Sequence, residues 1–401
     1  MNNKSEPLQN VRVLDLSRIL AGPVCCQVLA DLGADVVKVE RPGTGDDTRQ
    51  WGPPFTKDGT SAYYLSANRG KRSLALNLAH TAGRDVLDDL IRQADVLVEN
   101  FLPDSLDKFG LRPQRLGSLN PRLVSCSISG FGRTGPWASV PGYDLAIQAT
   151  SGLMSITGEP DGMPMKVGVA VTDVIAGLYA ATSVLAGLHG RTQSGSGEHF
   201  DLALLDCTLA SLVNIAQAAL VTGWRPERYG NAHPHIVPYE AFATSDGHLV
   251  LAVGNDRQWQ RFCSTAGRDD WLENADFATN PGRVAHRDLL VPQLQALFAG
   301  RKTDEWIALL TAADVPHAPV LGVDEALRLP QTVARGMVVE LKDAEGGVRR
   351  LIGSPLHREG AAASRAKAPP ALGQHTFEVL RDWLAYDADK LNRLRSSGAI
   401  G

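Results

Sequence analysis

Residues 11–40 read VRVLDLSRILAGPVCCQVLADLGADVVKVE, and their texture changes twice. Val11–Ser17 and Asp35–Glu40 are short runs rich in valine and leucine, which predicts two strands. Between them Val24–Leu32 has the apolar spacing of a helix, and Gly33 stops it. Strand, helix and strand in so short a stretch predict a crossover unit, and therefore two parallel strands.

The alternation continues. Ser73–Leu78 predicts a strand, Gly83–Gln93 a helix, and Val96–Glu99 and Leu123–Ile128 two further strands. The last runs into the glycine-rich turn SGFGRTGP. The expected fold is α/β, with a parallel Rossmann-like sheet covered by helices, and ligands bound beyond the carboxyl ends of its strands. After about residue 225 the texture shifts to RPERYGNAHPHIVP, rich in proline, histidine and arginine. EAFATSDGHLVLAV then predicts a hairpin turning at Asp246-Gly247, followed by helices around 256–266, 286–299 and 303–313. The expected organisation is a large domain over 1–200, a connector over 201–235 and a smaller α+β domain over 236–320. Residues 321–401 are expected to form a linker and a C-terminal segment returning to the large domain.

The chain has 401 residues, 40 basic and 44 acidic side chains, 21% charged and 44% apolar residues. Such a balance gives no general affinity for nucleic acid or a membrane surface, so any anionic ligand must meet a local basic cluster. MNNKSEPLQNVRV lacks the apolar core of a signal peptide. The apolar segments near 174–190 and 202–224 read as buried helices rather than spans. Five cysteines without a CxxC pair suggest neither a zinc site nor a disulfide framework, and reduced thiols predict a cytoplasmic protein.

One carboxylate stands out. In KVGVAVTDVIAGLYAA, residues 166–181, Lys166–Val171 predicts a strand and Val174–His189 a buried helix. Asp173 falls at the seam, where its position favours an N-cap, the commoner role, over a nucleophile kept ionised by the helix terminus.

Basic residues recur at expected strand ends and loops: Arg18, Lys38, Arg41, Arg69, Lys71, Arg72, Lys108 and Arg133. Singly each reads as a surface charge, and together they suggest a phosphorylated ligand. Glu40 ends the second strand, as a ribose-binding acid would. The preceding turn is SRILAGP rather than G-x-G-x-x-G, which makes a nicotinamide enzyme the weaker alternative. No Walker-type loop, G-x-S-x-G elbow or H-E-x-x-H pair occurs.

RILAGPVCCQVLADLGADVVKVERPGTGDDTR, NRGKRSLALNL, DVLVENFLPDSLDKFGL, SGFGRTGP and the Asp173 segment follow one another in the order of the class III CoA-transferase family, which they resemble. The resemblance extends to LGQHTFEVL near the C-terminus. GYDLAIQATSGLMSITG, GNAHPHIVPYEAFATSDG and VPHAPV are most similar to the branch that uses succinyl-CoA and glutarate.

The resemblance implies that Asp173 is the nucleophile, forming acyl-aspartyl anhydride and aspartyl-CoA thioester intermediates. It implies CoA contacts at Ile19 and Leu20 beside the adenosine and Arg41 near the phosphates. Further contacts are Leu76, Asn77, Asn100, Phe101, Lys108, Gly130 and Phe131. Tyr143, His233 and His235 are the expected substrate contacts, with Arg228 nearby. The CoA thioester is a substrate, no tightly bound cofactor or metal is expected, and the implied assembly is an interlocked homodimer. Two departures bear on activity. Gly142-Tyr143-Asp144 replaces the glycine–histidine–aspartate triplet of the racemase branch, and tyrosine is a poor proton shuttle at neutral pH. The glycine run of the formyl-CoA branch is missing at GNAHPHIVPY. Racemase activity and non-enzymatic CoA binding remain the alternatives.

Overall fold

The computed structural model describes residues 5–343, 346–358 and 367–401. The first four residues of the N-terminal stretch and parts of the 321–401 segment lie outside that description.

The chain divides into two compact units. The first comprises residues 1–153, 167–223 and 330–401, the second residues 154–166 and 224–329. In the first, β1 (Arg12–Asp15), β2 (Asp35–Glu40), β3 (Lys71–Ala75), β4 (Val96–Glu99), β5 (Val124–Ser129) and β6 (His199–Ala203) form one sheet in the order β3-β2-β1-β4-β5-β6. All five pairings are parallel. The order reverses between β1 and β4, and a crevice opens at their carboxyl ends.

Strand pleating assigns neighbouring residues to opposite faces. Val13, Val36, Val96 and Val98 pack under the Ala21–Asp31 helix and the long Val171–Ser194 helix. Leu14, Val37 and Leu97 pack on the other face, with Val379, Leu380 and Trp383 of the Thr376–Leu384 helix. Gly177 lets the two helices on the first face meet closely. A Cβ there would lie 2.6 Å from the Ala21 carbonyl oxygen.

Several expectations shift. Lys166–Val171 is not a strand: it finds no sheet edge, and the Gln148 side chain takes up the Val167 amide at 2.8 Å instead. The expected strand at Ser73–Leu78 starts earlier, at Lys71. β6 was not foreseen, because His199–Ala203 is short and carries Asp201. The apolar stretch 202–224 folds into helices Leu204–Ser211 and Val213–Thr222, but the second buries none of its residues. The long helix is apolar and long enough to cross a membrane by length and composition. Its buried face, with Ala176, Ala180, Ala181 and Val184, belongs to the sheet's core.

In the second unit β7 (Tyr239–Ala243) and β8 (His248–Ala252) form the expected hairpin, extended by β9 (His317–Pro319). Trp259, Phe262, Phe298 and Trp306 are fully buried behind it, on helices Asp256–Ala266, Arg287–Ala299 and Thr303–Ala312. Phe242 stacks on Phe298 at 4.8 Å between ring centroids. Late in the chain β10 (Val338–Lys342) and β11 (Val348–Ile352) pair as a separate hairpin.

Candidate active site

Two cavities open at the carboxyl edge of the sheet, of about 170 and 420 Å³, and Arg18 and Phe101 line both. The turn after β1 lies against them. Asn100, just beyond β4, grips that turn across the crevice: it accepts from the Arg18 amide at 2.9 Å and donates to the Arg18 carbonyl at 2.8 Å.

The smaller cavity gathers Ile19, Leu20, Asn100, Phe101, Gly130, Tyr143 and Asp173. Gly130 and Gly142 form a tight seam in its wall. A Cβ at Gly130 would sit 2.5 Å from the Gly142 Cα, so neither position has room for a side chain. Tyr143 is 67% exposed. Asp173 lies in the first turn of the long helix but is not its cap. Ala170 occupies that position, and its side chain makes no capping bond.

Asp144 does part of the capping instead. Its carboxylate accepts from the Thr172 amide at 2.9 Å and the Thr172 hydroxyl at 2.7 Å, while Gln148 donates to its other oxygen at 2.7 Å. Among the described residues, no backbone hydrogen bond holds the Asp173 carboxylate. Burial, and then the neighbouring Asp144 charge, push Asp173 up to about 7. The helix terminus alone would have kept the group ionised; burial overrides it. Tyr63 was not foreseen. Burial, followed by the charges of Asp173 and Asp144, raises its phenol, which places it in the same electrostatic neighbourhood. Both omissions share a cause, since Asp144 and Tyr63 meet Asp173 only through the fold.

Arg41, Leu76, Asn77, Phe101 and Lys108 line the larger cavity. Arg41 and Lys108 are exposed. Leu76 belongs to the buried core, and Asn77 also ties down the C-terminus by donating to the Gly398 carbonyl at 3.2 Å. Phe131 lines neither cavity and packs edge-on against Trp137, 5.2 Å between centroids.

Other basic residues are held in ion pairs. Lys38 and Lys71 are buried in ion pairs with Asp46 and Asp15, both at 2.8 Å. Arg69 pairs with Asp31, and Arg72 with Asp35, Glu378 and Asp382. Arg133 pairs with Glu99 in the wall of the smaller cavity. Glu40 is spent as well: it holds Arg49 through both oxygens and accepts from Ser73 at 2.6 Å, which leaves it unsuited to a ribose.

In the second unit, His233 Nδ1 accepts the His235 amide at 3.0 Å. Its ring lies edge-on to Tyr239, 5.4 Å away between centroids. Burial first, then His235 and Arg287, hold His233 below the ordinary histidine value, so at neutral pH it offers an N–H rather than a charge. Arg228 is occupied with the carbonyls of Ser155, Glu159, Pro160 and Gly162. Arg287, not foreseen, donates to the Pro234 carbonyl at 2.8 Å and lies over the Tyr229 ring.

A crevice at the sheet's switch point, with the Asp173 carboxylate in its wall, suits acyl transfer from an anionic thioester. The profile of CoA-transferase family III matches residues 8–376, and the chain belongs to that family. It is a family III CoA-transferase. The chain is 45% identical over 392 residues to the succinate–glutarate CoA-transferase of Agrobacterium fabrum, covering 95% of this chain and 97% of that protein. It is 40% identical to the Homo sapiens succinyl-CoA:glutarate CoA-transferase, over 99% of this chain and 91% of that protein. Among solved structures, a CAIB/BAIF family protein from Brucella suis superposes with a TM-score of 0.84 at 40% identity, covering 95% of this chain and all of that one.

Proposed function

We propose that the chain moves CoA from succinyl-CoA to a short dicarboxylate such as glutarate, through covalent intermediates on Asp173. The observation that carries the reading is the placement of Asp173. It is a carboxylate without a capping bond, in the wall of a cavity that shares Arg18 and Phe101 with the larger one.

The chemistry follows from that group. Ionised Asp173 attacks the thioester carbonyl, the carbon–sulfur bond breaks, and CoA leaves as thiolate. The thiolate attacks the Asp173 carbonyl of the resulting anhydride, releasing the first acid and leaving an aspartyl-CoA thioester. The incoming carboxylate displaces CoA from that thioester, and the thiolate then takes up the new acyl group. Asp173 is restored, with no net change of redox state or proton count. Each covalent step replaces one difficult exchange with easier ones.

The first unit is read as the CoA-binding domain. Ile19 and Leu20 are assigned to the adenosine, and Arg41 and Lys108 to the phosphates. Leu76, Asn77, Asn100, Phe101, Gly130 and Phe131 are assigned along the rest of CoA. Tyr143, His233 and His235 are assigned to the acids. A dicarboxylate keeps one charge after reacting, and that charge needs a donor when buried. The named activities of the relatives support the choice of acids. We further propose a cytoplasmic homodimer, supported by the five free, buried cysteines and by the exposed apolar Val213–Thr222 helix.

The test supplies succinyl-CoA with mono- and dicarboxylic acids and identifies new thioesters by mass spectrometry. Glutarate or a similar short dicarboxylate should outperform monocarboxylates of matching length. Equal use of both classes would overturn the dicarboxylate assignment.

A further inference from the structure

Ile19 has a φ of 69°, in the left-handed region that a β-branched residue rarely enters. It sits in the turn between β1 and the first helix. Arg18 of this turn lines both cavities, and Ile19, Leu20 and Ala21 line the one containing Asp173. Such a conformation persists only where its surroundings over-determine it.

The surroundings here are side chains. Asp15 accepts the Ser17 amide at 3.0 Å, and Lys38 Nζ donates to the Ser17 carbonyl at 2.9 Å. Asn100 holds both backbone groups of Arg18. Asp46 receives the Ile19 amide at 3.3 Å while accepting the Thr48 amide and hydroxyl. Lys38 and Asp46 are paired at 2.8 Å with side chains wholly removed from solvent. One buried ion pair therefore grips the turn at two points, Ser17 and Ile19, and both members also lie in the wall of the larger cavity.

We propose that Lys38 and Asp46 are positioning residues, a buried clamp that holds Ile19 left-handed and so sets the wall against which CoA lies. The lysine reaches back from β2 and the aspartate forward from the loop beyond it, so the clamp couples two loops at the carboxyl edge. Without it, Ile19 relaxes to negative φ and the wall shifts. The acid acceptor, which has no nucleotide, is much less affected.

The assignment rests on the CoA reading of the cavities, and a calorimetric titration with CoA itself separates the two. A parent protein that fails to bind CoA refutes that reading. The test variant removes the pair together, Lys38→Met with Asp46→Leu, because removing one partner strands a buried charge. Expected is a KM for the acyl-CoA and a Kd for CoA raised about tenfold, with the acceptor KM within about twofold of the parent. Adding Ile19→Gly, which adopts φ near 70° without strain, should recover about threefold or more of that loss. A merely structural role would not show that rescue. If the double variant does not fold, Lys38→Gln with Asp46→Asn, which keeps a hydrogen-bonding pair and loses both charges, should give a smaller rise in the same direction. Unchanged CoA affinity in whichever variant folds, equal losses for both substrates, or no recovery with glycine would each overturn the proposal.

Discussion

Asp173 carries the reaction proposed here, and its environment sets when it can act. The nucleophile is the ionised form, and a value near 7 leaves about a tenth of it ionised at pH 6. Exchange should therefore rise with pH through a limb near 7 in the free enzyme. Asp144→Asn removes the neighbouring negative charge, so ionised Asp173 is favoured and the limb should move to lower pH by a fraction of a unit or more. A pH profile of kcat/KM checks both the limb and its shift; an upward shift would contradict the assigned cause. At this scale the sequence singles out Asp173 but not its neighbours. Asp144 reaches Thr172 across 28 residues of chain, a contact that no local pattern announces. The buried lysines misled for a similar reason. In a parallel sheet both faces are covered, so the polar member of VVKVE points into a core instead of water.

Among the elements, the long helix sets the position of Asp173, and its packing is unforgiving. Gly177 lies one turn beyond Asp173, against the Ala21 carbonyl of the first helix. Gly177→Ala must push the two backbones apart, at a cost of about 1–3 kcal/mol. The expected result is a lower Tm and a loss of exchange larger than the loss of CoA affinity, because the helix bearing Asp173 moves. Thermal unfolding alongside kcat and KM distinguishes this from simple destabilisation. Periodicity located most of these elements to within a few residues, because helices and buried strands carry their apolar spacing in the chain. It misread Lys166–Val171, where valines imitate a strand but no edge is available. β6 escaped because five residues with a central aspartate carry too little alternation.

At the scale of the whole molecule, the exposed apolar surface bears on assembly. Val213, Leu220 and Val221 are 66%, 81% and 68% exposed on the Val213–Thr222 helix. Apolar groups clustered in this way commonly mark a contact surface. A homodimer is expected by light scattering, and Leu220→Lys together with Val221→Lys should weaken it, with a dissociation constant raised at least about tenfold. A monomer in the parent would contradict that assembly. The sequence changes texture near residue 225, and the longer segment of the second unit begins at Trp224. What the one-dimensional pattern could not supply is the return of residues 154–166 to the second unit, since that depends on contacts between distant segments.

The central claim is that Asp173 becomes covalently acylated, and its carboxylate oxygens record this. A carboxylate acceptor labelled with oxygen-18 attacks the aspartyl-CoA thioester through one oxygen, which stays on Asp173 when CoA takes up the acyl group. After turnover with succinyl-CoA and labelled glutarate, mass spectrometry of the peptide containing Asp173 should show oxygen-18 at that residue. The label should depend on succinyl-CoA and be absent in Asp173→Asn, which should also lose exchange. Steady turnover that leaves Asp173 unlabelled, or near-normal exchange by Asp173→Asn, would contradict the covalent account.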